Sequence, residues 1–213
     1  MVATRNPLPA KLFVGMIFAE DFPLVQAEEQ LIAEFGSPEV QSPLLPFTLT
    51  SYYASEMGDR LWRRFVIFQS LIAKDQLISI KKTTIRMEHL FSVTRNGLLC
   101  RRINLDPGYL TLSQLVLATT KDRAHRIFLG DEIYGDLHLR YQRGCFRPLK
   151  WTYPDYRTPV SLAFFLSGKV PIPASIEDRC LPWQEKGRGL AISPFTSGGK
   201  KRACAGAQAL FAP

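Results

Sequence analysis

The chain has 213 residues, 46% hydrophobic and 22% charged, an ordinary globular content at a one-domain or small two-domain length. Its formal net charge of +8 favours anionic partners such as nucleotides, nucleic acid or acidic lipid surfaces, without choosing among them. No apolar run approaches the ~20 residues of a membrane-spanning helix, and the opening MVATRNPLPA is too short and polar for a secretory signal. The cysteines at 100, 145, 180 and 204 form no CxxC pair and no zinc set. A cytoplasmic chain with reduced thiols and no membrane partner is therefore expected.

KLFVGMIFA, residues 11–19, is almost continuously apolar and reads as a strand buried on both faces. Pro23 opens a helix whose stripe is Leu24, Glu28, Leu31 and Phe35, widened by Val25 and Ile32, and Gly36 stops it. Residues 37–46 hold three prolines and read as a surface loop. FTLTSYY, 47–53, alternates as a strand, and LWRRFVIF, 61–68, as the next; the two are expected to pair as a hairpin. A second helix covers 73–93, ended by Asn96-Gly97, and a strand follows over 99–105.

That order is strand–helix–strand–strand–helix–strand, the split βαβ or ferredoxin-like pattern. The expected fold class is α+β: a ferredoxin-like antiparallel sheet with both helices on one face, extended by C-terminal β-hairpins. LVLAT, 115–119, is a strand or one turn of helix. A hairpin of 126–129 and 133–141 turns at Gly130-Asp131-Glu132, and 145–149 follows. In its second arm Ile133, Gly135, Leu137, Leu139 and Tyr141 are expected inside, and Tyr134, Asp136, His138 and Arg140 outside. The aromatic, proline-rich 148–159 reads as an ordered loop, with a short helix over 159–166. Residues 1–166 are read as one domain and 167–213 as a divergent, poorly ordered tail without periodicity.

The chemistry concentrates between 101 and 127. Asp106-Pro107-Gly108 reads as a tight turn at a strand end, leaving Asp106 either to cap that turn or to meet a ligand. Lys121, His125 and Arg126 share one polar loop, either a solvated hairpin or an anion site in which His125 moves a proton. Arg63 and Arg64 point to opposite faces of one strand, as solvated residues, ion pairs or anion ligands. The histidines at 89, 125 and 138 have no metal-ligand spacing; His89 reads as packing and His138 as an outer-face residue. Neither Gly130–Asp136 nor Ser197–Lys201 makes a Walker A loop, and the RNP1 pattern is absent.

INLDPGYLTLSQLVLATTKDRAHRI, the IYGDLHLRY arm and WTYPDYR, with KLFVGMI, YYASEMG and RRFVIF, resemble a bacterial family of unknown function, number 4416 in the domain-of-unknown-function series. The resemblance covers roughly residues 8–166 and brings no established activity or cofactor; some members carry a GTP-binding label. It implies Glu56, Arg63, Arg64, Asp106, Tyr109, Lys121, His125, Arg126, Tyr153, Asp155 and Tyr156 as the matching positions. From about 168 the chain departs from the family pattern, as a frameshifted or divergent extension.

The expected function is binding of a phosphorylated small ligand or nucleotide without a P-loop. Asp106 and His125 are the candidate catalytic groups. Arg63, Arg64, Tyr109, Lys121, Arg126, Tyr153, Asp155 and Tyr156 are the candidate ligand contacts. The alternative is a non-enzymatic RNA-binding or scaffold protein using the basic sheet face.

Overall fold

The computed structural model of the protein describes residues 7–168. The tail expected beyond 168 lies outside the described residues.

β1 (Ala10–Ala19) is buried along almost its whole length, as its apolar run requires. It is central because both edges are paired, with β4 (Leu61–Ile72) on one side and β7 (Ile103–Leu110) on the other, both antiparallel. Beyond β4 lie two short edge pieces, β2 (Pro38–Gln41) and β3 (Leu45–Pro46). Beyond β7 come β8 (Gln114–Thr119), β10 (Ile133–Gln142) and β11 (Cys145–Pro148), with β9 (Arg126–Gly130) also on β10. Every pairing in this sheet is antiparallel, so the expected mixed α+β class holds.

The two faces of β1 serve two cores, because successive side chains point to opposite sides. Val14, Met16 and Phe18 pack with Leu31 of α1 (Leu24–Phe35) and with Ile80 and Met87 of α3 (Leu77–Leu90). Phe13, with Phe65 and Ile67 of β4, packs with Tyr156 and with Phe164 and Phe165 of α4 (Pro159–Ser167). α4 begins where Thr158 accepts a hydrogen bond from the Ser161 N–H, the usual N-cap device. α1 stops at Gly36, whose φ of 88° an L-residue avoids. Val25 and Ile32 of α1, expected in its stripe, are exposed. No helix among the described residues is long and apolar enough to cross a membrane.

Four expectations are corrected. FTLTSYY forms no strand. Its place beside β4 is taken by β2 and β3, in the stretch expected to be a loop. Prolines are tolerated there because an edge strand needs donors on one side only. Ser42 fills the gap: its N–H reaches the Phe65 carbonyl, and its hydroxyl accepts the Phe65 N–H. The chain then runs as an open strap to a single turn, α2 (Ala54–Met57).

Asp106-Pro107-Gly108 is not a turn either; β7 runs straight through it. The Leu105 N–H points away from β1, to Glu88 of α3, so Pro107 two residues on presents its missing N–H to that same edge. β8 pairs with β7 only from Gly108 onward, so nothing there needs the donor. Gly108 is required for space: a Cβ would sit 2.4 Å from the Val116 carbonyl oxygen and 2.6 Å from the Phe13 ring.

The second helix is shorter than expected, Leu77–Leu90 after a 3-10 turn at Lys74–Gln76. A small hairpin, β5 (Val93–Arg95) and β6 (Leu98–Cys100), turns at Asn96-Gly97 with φ of 51° and 76°. His89 is exposed rather than packed.

From Ile133 to Leu139 both faces of β10 are covered, while Arg140, expected outside, is exposed. Asp136 and His138, expected outside, are 1% and 0% exposed. Tyr153 and Tyr156, the second on a 3-10 turn at Pro154–Arg157, cover them, and a register shift between Leu137 and Leu139 re-aims the strand.

Candidate functional site

The site is built where β8 splays away from β7. Between Ile103 and Pro107 the free edge of β7 is closed by α3 instead of a strand. The Lys81 ammonium donates to the Leu105 carbonyl at 2.9 Å, and Glu88 accepts the Leu105 N–H at 2.6 Å. Burial pushes the Glu88 carboxyl up, against the lowering pull of Lys81 and that N–H. The opening leaves two cavities, of about 250 and 130 Å³, which share Tyr52, Tyr53, Asp106, Lys121 and Tyr153 as lining.

The floor is the β1–β4–β7 face opposite α1 and α3. Gly15 faces Asp106 on one neighbour and Phe65 on the other, while Ile17 faces Arg63. The Arg63 guanidinium lies 4.4 Å from the Phe65 ring centre and 4.9 Å from that of Tyr156. A Cβ on residue 15 would come within 2.8 Å of the Tyr156 hydroxyl and 3.0 Å of Arg63 Nη2, so only glycine fits beneath them.

Arg63 is 2% exposed. Its Nη2 is 3.0 Å from Asp155 Oδ2 and its Nη1 3.5 Å from Asp106 Oδ2. The pairs are close but misaligned: all three guanidinium nitrogens, Asp155 Oδ2 and the Tyr156 hydroxyl have no hydrogen-bond partner among the described residues. Burial works against the charge of Arg63, yet Tyr156, Asp155 and Asp106 outweigh it and raise its pKa above the ordinary arginine range. Burial raises the Tyr156 hydroxyl well above the ordinary tyrosine range and, with Asp106 second, raises Tyr53 and Tyr153 too.

The rim is different. Glu56 takes Arg101 through both carboxylate oxygens, and Arg101 also donates to Asn104 Oδ1, leaving Asn104 Nδ2 without a partner. The Glu56 carboxyl is accordingly held low by Arg101. Lys121 stands at the mouth, exposed, with its ammonium 2.6 Å from the Tyr52 hydroxyl. That hydrogen bond lowers the Tyr52 pKa. Lys121 has no carboxylate partner among the described residues.

Of the ten residues expected at a site, Arg63, Asp106, Lys121, Tyr153 and Asp155 line the cavities, and Tyr156 supports Arg63 from behind. Arg126 stands behind the wall: it donates to Asp136 (2.9 Å), the Lys121 carbonyl (2.8 Å) and the Tyr153 hydroxyl (2.9 Å), and so sets the position of two lining residues. Arg64 lies on the opposite face, paired with Glu28 of α1 at 2.9 Å. Tyr109 packs with Leu77 and Val116. His125 stacks on Trp151 at 5.0 Å, with its Nε2 3.5 Å from Asp136 Oδ2, and lines neither cavity.

Sequence reasoning missed Tyr52, Tyr53, Lys81, Glu88, Arg101 and Asn104 as lining residues. The YYASEM stretch carried the one available signal, a tyrosine pair beside Glu56. The α3 pair carried none, since an alternating helix surface hides a buried Lys–Glu couple. Among the described residues, no group of three or more His, Cys, Asp or Glu could hold a metal ion.

The cleft thus offers a buried floor with one arginine between two carboxylates, aromatic walls and, at the mouth, a lysine with no carboxylate partner among the described residues. The family model for "Domain of unknown function (DUF4416)" matches residues 8–169, and the chain belongs to that family. No curated protein and no solved structure matches it.

Proposed function

We propose that this member of the DUF4416 family binds a phosphorylated small molecule, nucleotides included, in the cleft between β7 and β8, without a P-loop. One observation carries the reading: Lys121 is a cation without a carboxylate partner, held over aromatic walls beside the hydroxyl-bearing Thr50, Thr119 and Thr120. An ammonium with three donors suits a phosphate oxygen. The Tyr52 hydroxyl that it now contacts is a weak partner for an anion to displace. Each cavity falls below the ~300–1,000 Å³ typical of ligand pockets, and the two adjoining ones together reach only its lower end, which favours a mononucleotide or smaller. The experiment is a thermal-shift and calorimetric screen of phosphorylated metabolites against the native chain and Lys121→Ala. Binding that weakens at least tenfold in the variant supports the reading; no stabilisation by any phosphorylated compound overturns it.

RNA held on an arginine-bearing sheet face has less support, since Arg63 lies under Tyr156 and Arg64 under α1. We also read the first half of the chain as a ferredoxin-like split βαβ. The antiparallel order β2-β4-β1-β7, with α1 and α3 packed on the same core, supports that reading.

A further inference from the structure

The floor of the cleft carries the opposite charge from its mouth. Arg63 touches both Asp106 and Asp155, one positive group against two negative ones. The remaining cations of the lining already have partners, Arg101 in Glu56 and Glu88 and Lys81 in the Leu105 carbonyl. A phosphate pushed to the floor would meet excess negative charge, whereas Lys121 at the mouth faces no carboxylate.

The floor also has acceptors to spare. The Asp106 carboxylate takes part in no hydrogen bond among the described residues and meets Arg63 only through the 3.5 Å ion pair. Asp155 Oδ2 is buried and has no hydrogen bond among the described residues. A carboxylate has room for about four hydrogens, so these oxygens can take donors from a ligand. Phe47, Tyr53 and Tyr153 around them suit a flat ring better than a flexible chain.

Resting on the phosphate reading above, we infer that the ligand is bipolar: a phosphomonoester whose other end is a ring bearing N–H donors, seated ring first with those donors on Asp106 and its phosphate left at Lys121. The two ends are then read by different residues. Asp106 selects the donor-bearing ring, and Lys121 supplies affinity for any phosphate.

The test compares matched ligands by calorimetry on the native chain: adenosine and guanosine 5′-monophosphates, the 5′-monophosphate of unsubstituted purine riboside, and ribose 5-phosphate. At least one amino-bearing nucleotide is expected to bind roughly tenfold or more tighter than both compounds that lack an amino group, the scale of a hydrogen bond to a charged group. Asp106→Ala, which removes the acceptor, is expected to abolish that preference while ribose 5-phosphate still binds. Because the preference is measured first on the native chain, the inference does not depend on the variant folding. Equal binding of all four overturns the inference and leaves the phosphate reading standing. A preference that survives Asp106→Ala overturns the assignment to Asp106. Binding of none of the phosphates overturns the reading on which the inference rests.

Discussion

Two arginine–carboxylate clusters, one around Asp136 and one around Arg63, differ in whether their hydrogen bonds are made. Around Asp136 the bonds are made. Arg126 donates to one oxygen at 2.9 Å, and His138 Nδ1 lies 3.3 Å from the other. His138 Nε2 accepts the Tyr153 N–H at 2.9 Å, which puts the ring proton on Nδ1 and aims it at Asp136. Around Arg63 the charges are as close but misaligned, with five polar atoms lacking a hydrogen bond. The first cluster therefore reads as a brace, and the second as a place prepared for something else. A buried polar atom without a partner costs about 1–3 kcal/mol, so the Arg63 cluster holds its charges at a cost that the Asp136 cluster avoids.

Substitutions can break this contrast. The largest expected effect is Asp136→Ala, which leaves Arg126 and His138 buried without their carboxylate. A loss of about 3–5 kcal/mol in denaturant unfolding is expected. Arg63→Met leaves Asp155 and Asp106 unpaired, but both carboxylates border the cleft and can reach water. A smaller loss, roughly 2 kcal/mol, is expected by the same measurement; a loss equal to that of Asp136→Ala would make the two clusters equivalent. Gly15→Ala pushes a methyl group against Tyr156 and Arg63, for about 1–3 kcal/mol from overpacking, with ligand binding disturbed because the floor shifts.

Acid titration sharpens the contrast further. Burial alone would raise the Asp136 carboxyl, but His138 and Arg126 reverse this and hold it below the usual carboxylate range. A depressed folded-state pKa adds stability above the unfolded value, near 4, that is lost as pH falls through the folded one. Glu88 acts in the opposite sense. Its raised pKa favours the folded state below the unfolded value, and that contribution is lost as pH rises through the folded pKa. Unfolding curves between about pH 2 and 7 should show a smaller acid-induced loss in Asp136→Asn than in the native chain. The smallest stability effect is at Lys121. Lys121→Ala should change unfolding by less than about 0.5 kcal/mol, as an exposed substitution does, while reducing phosphate binding at least tenfold.

The elements that were legible in the sequence are those whose signal is local. KLFVGMIFA has to be a central strand because an uninterrupted apolar run needs cover on both faces. Gly36, Asn96-Gly97 and Gly130-Asp131-Glu132 mark their boundaries through backbone conformations that few residues adopt. The polar density of 101–127 was equally visible, and Asp106 and Lys121 do share a cleft. The errors have one source. Asp-Pro-Gly is a turn when its surroundings are water, but here Pro107 lies on a free edge and Gly108 beneath a neighbouring carbonyl. The alternation of β10 predicted one wet face until Tyr153 and Tyr156 covered it.

By itself, then, the chain determined its secondary elements, its antiparallel α+β character and the residues rich enough in chemistry to form a site. Only the tertiary structure decided which of them share a cleft. Arg63 and Arg64 are neighbours that sequence cannot rank. The pleat sends one to a cavity beside Asp106 and Asp155 and the other to Glu28, because each strand residue belongs to whichever layer packs on its side. Likewise Arg126 and His125 adjoin Lys121 in sequence, yet the fold turns them toward Asp136 and leaves Lys121 alone at the mouth. Partners brought from as near as Asp136 is to Arg126 or as far as Asp155 is from Arg63 settle the charge balance of each group, and that balance separates the hydrogen-bonded cluster from the misaligned one.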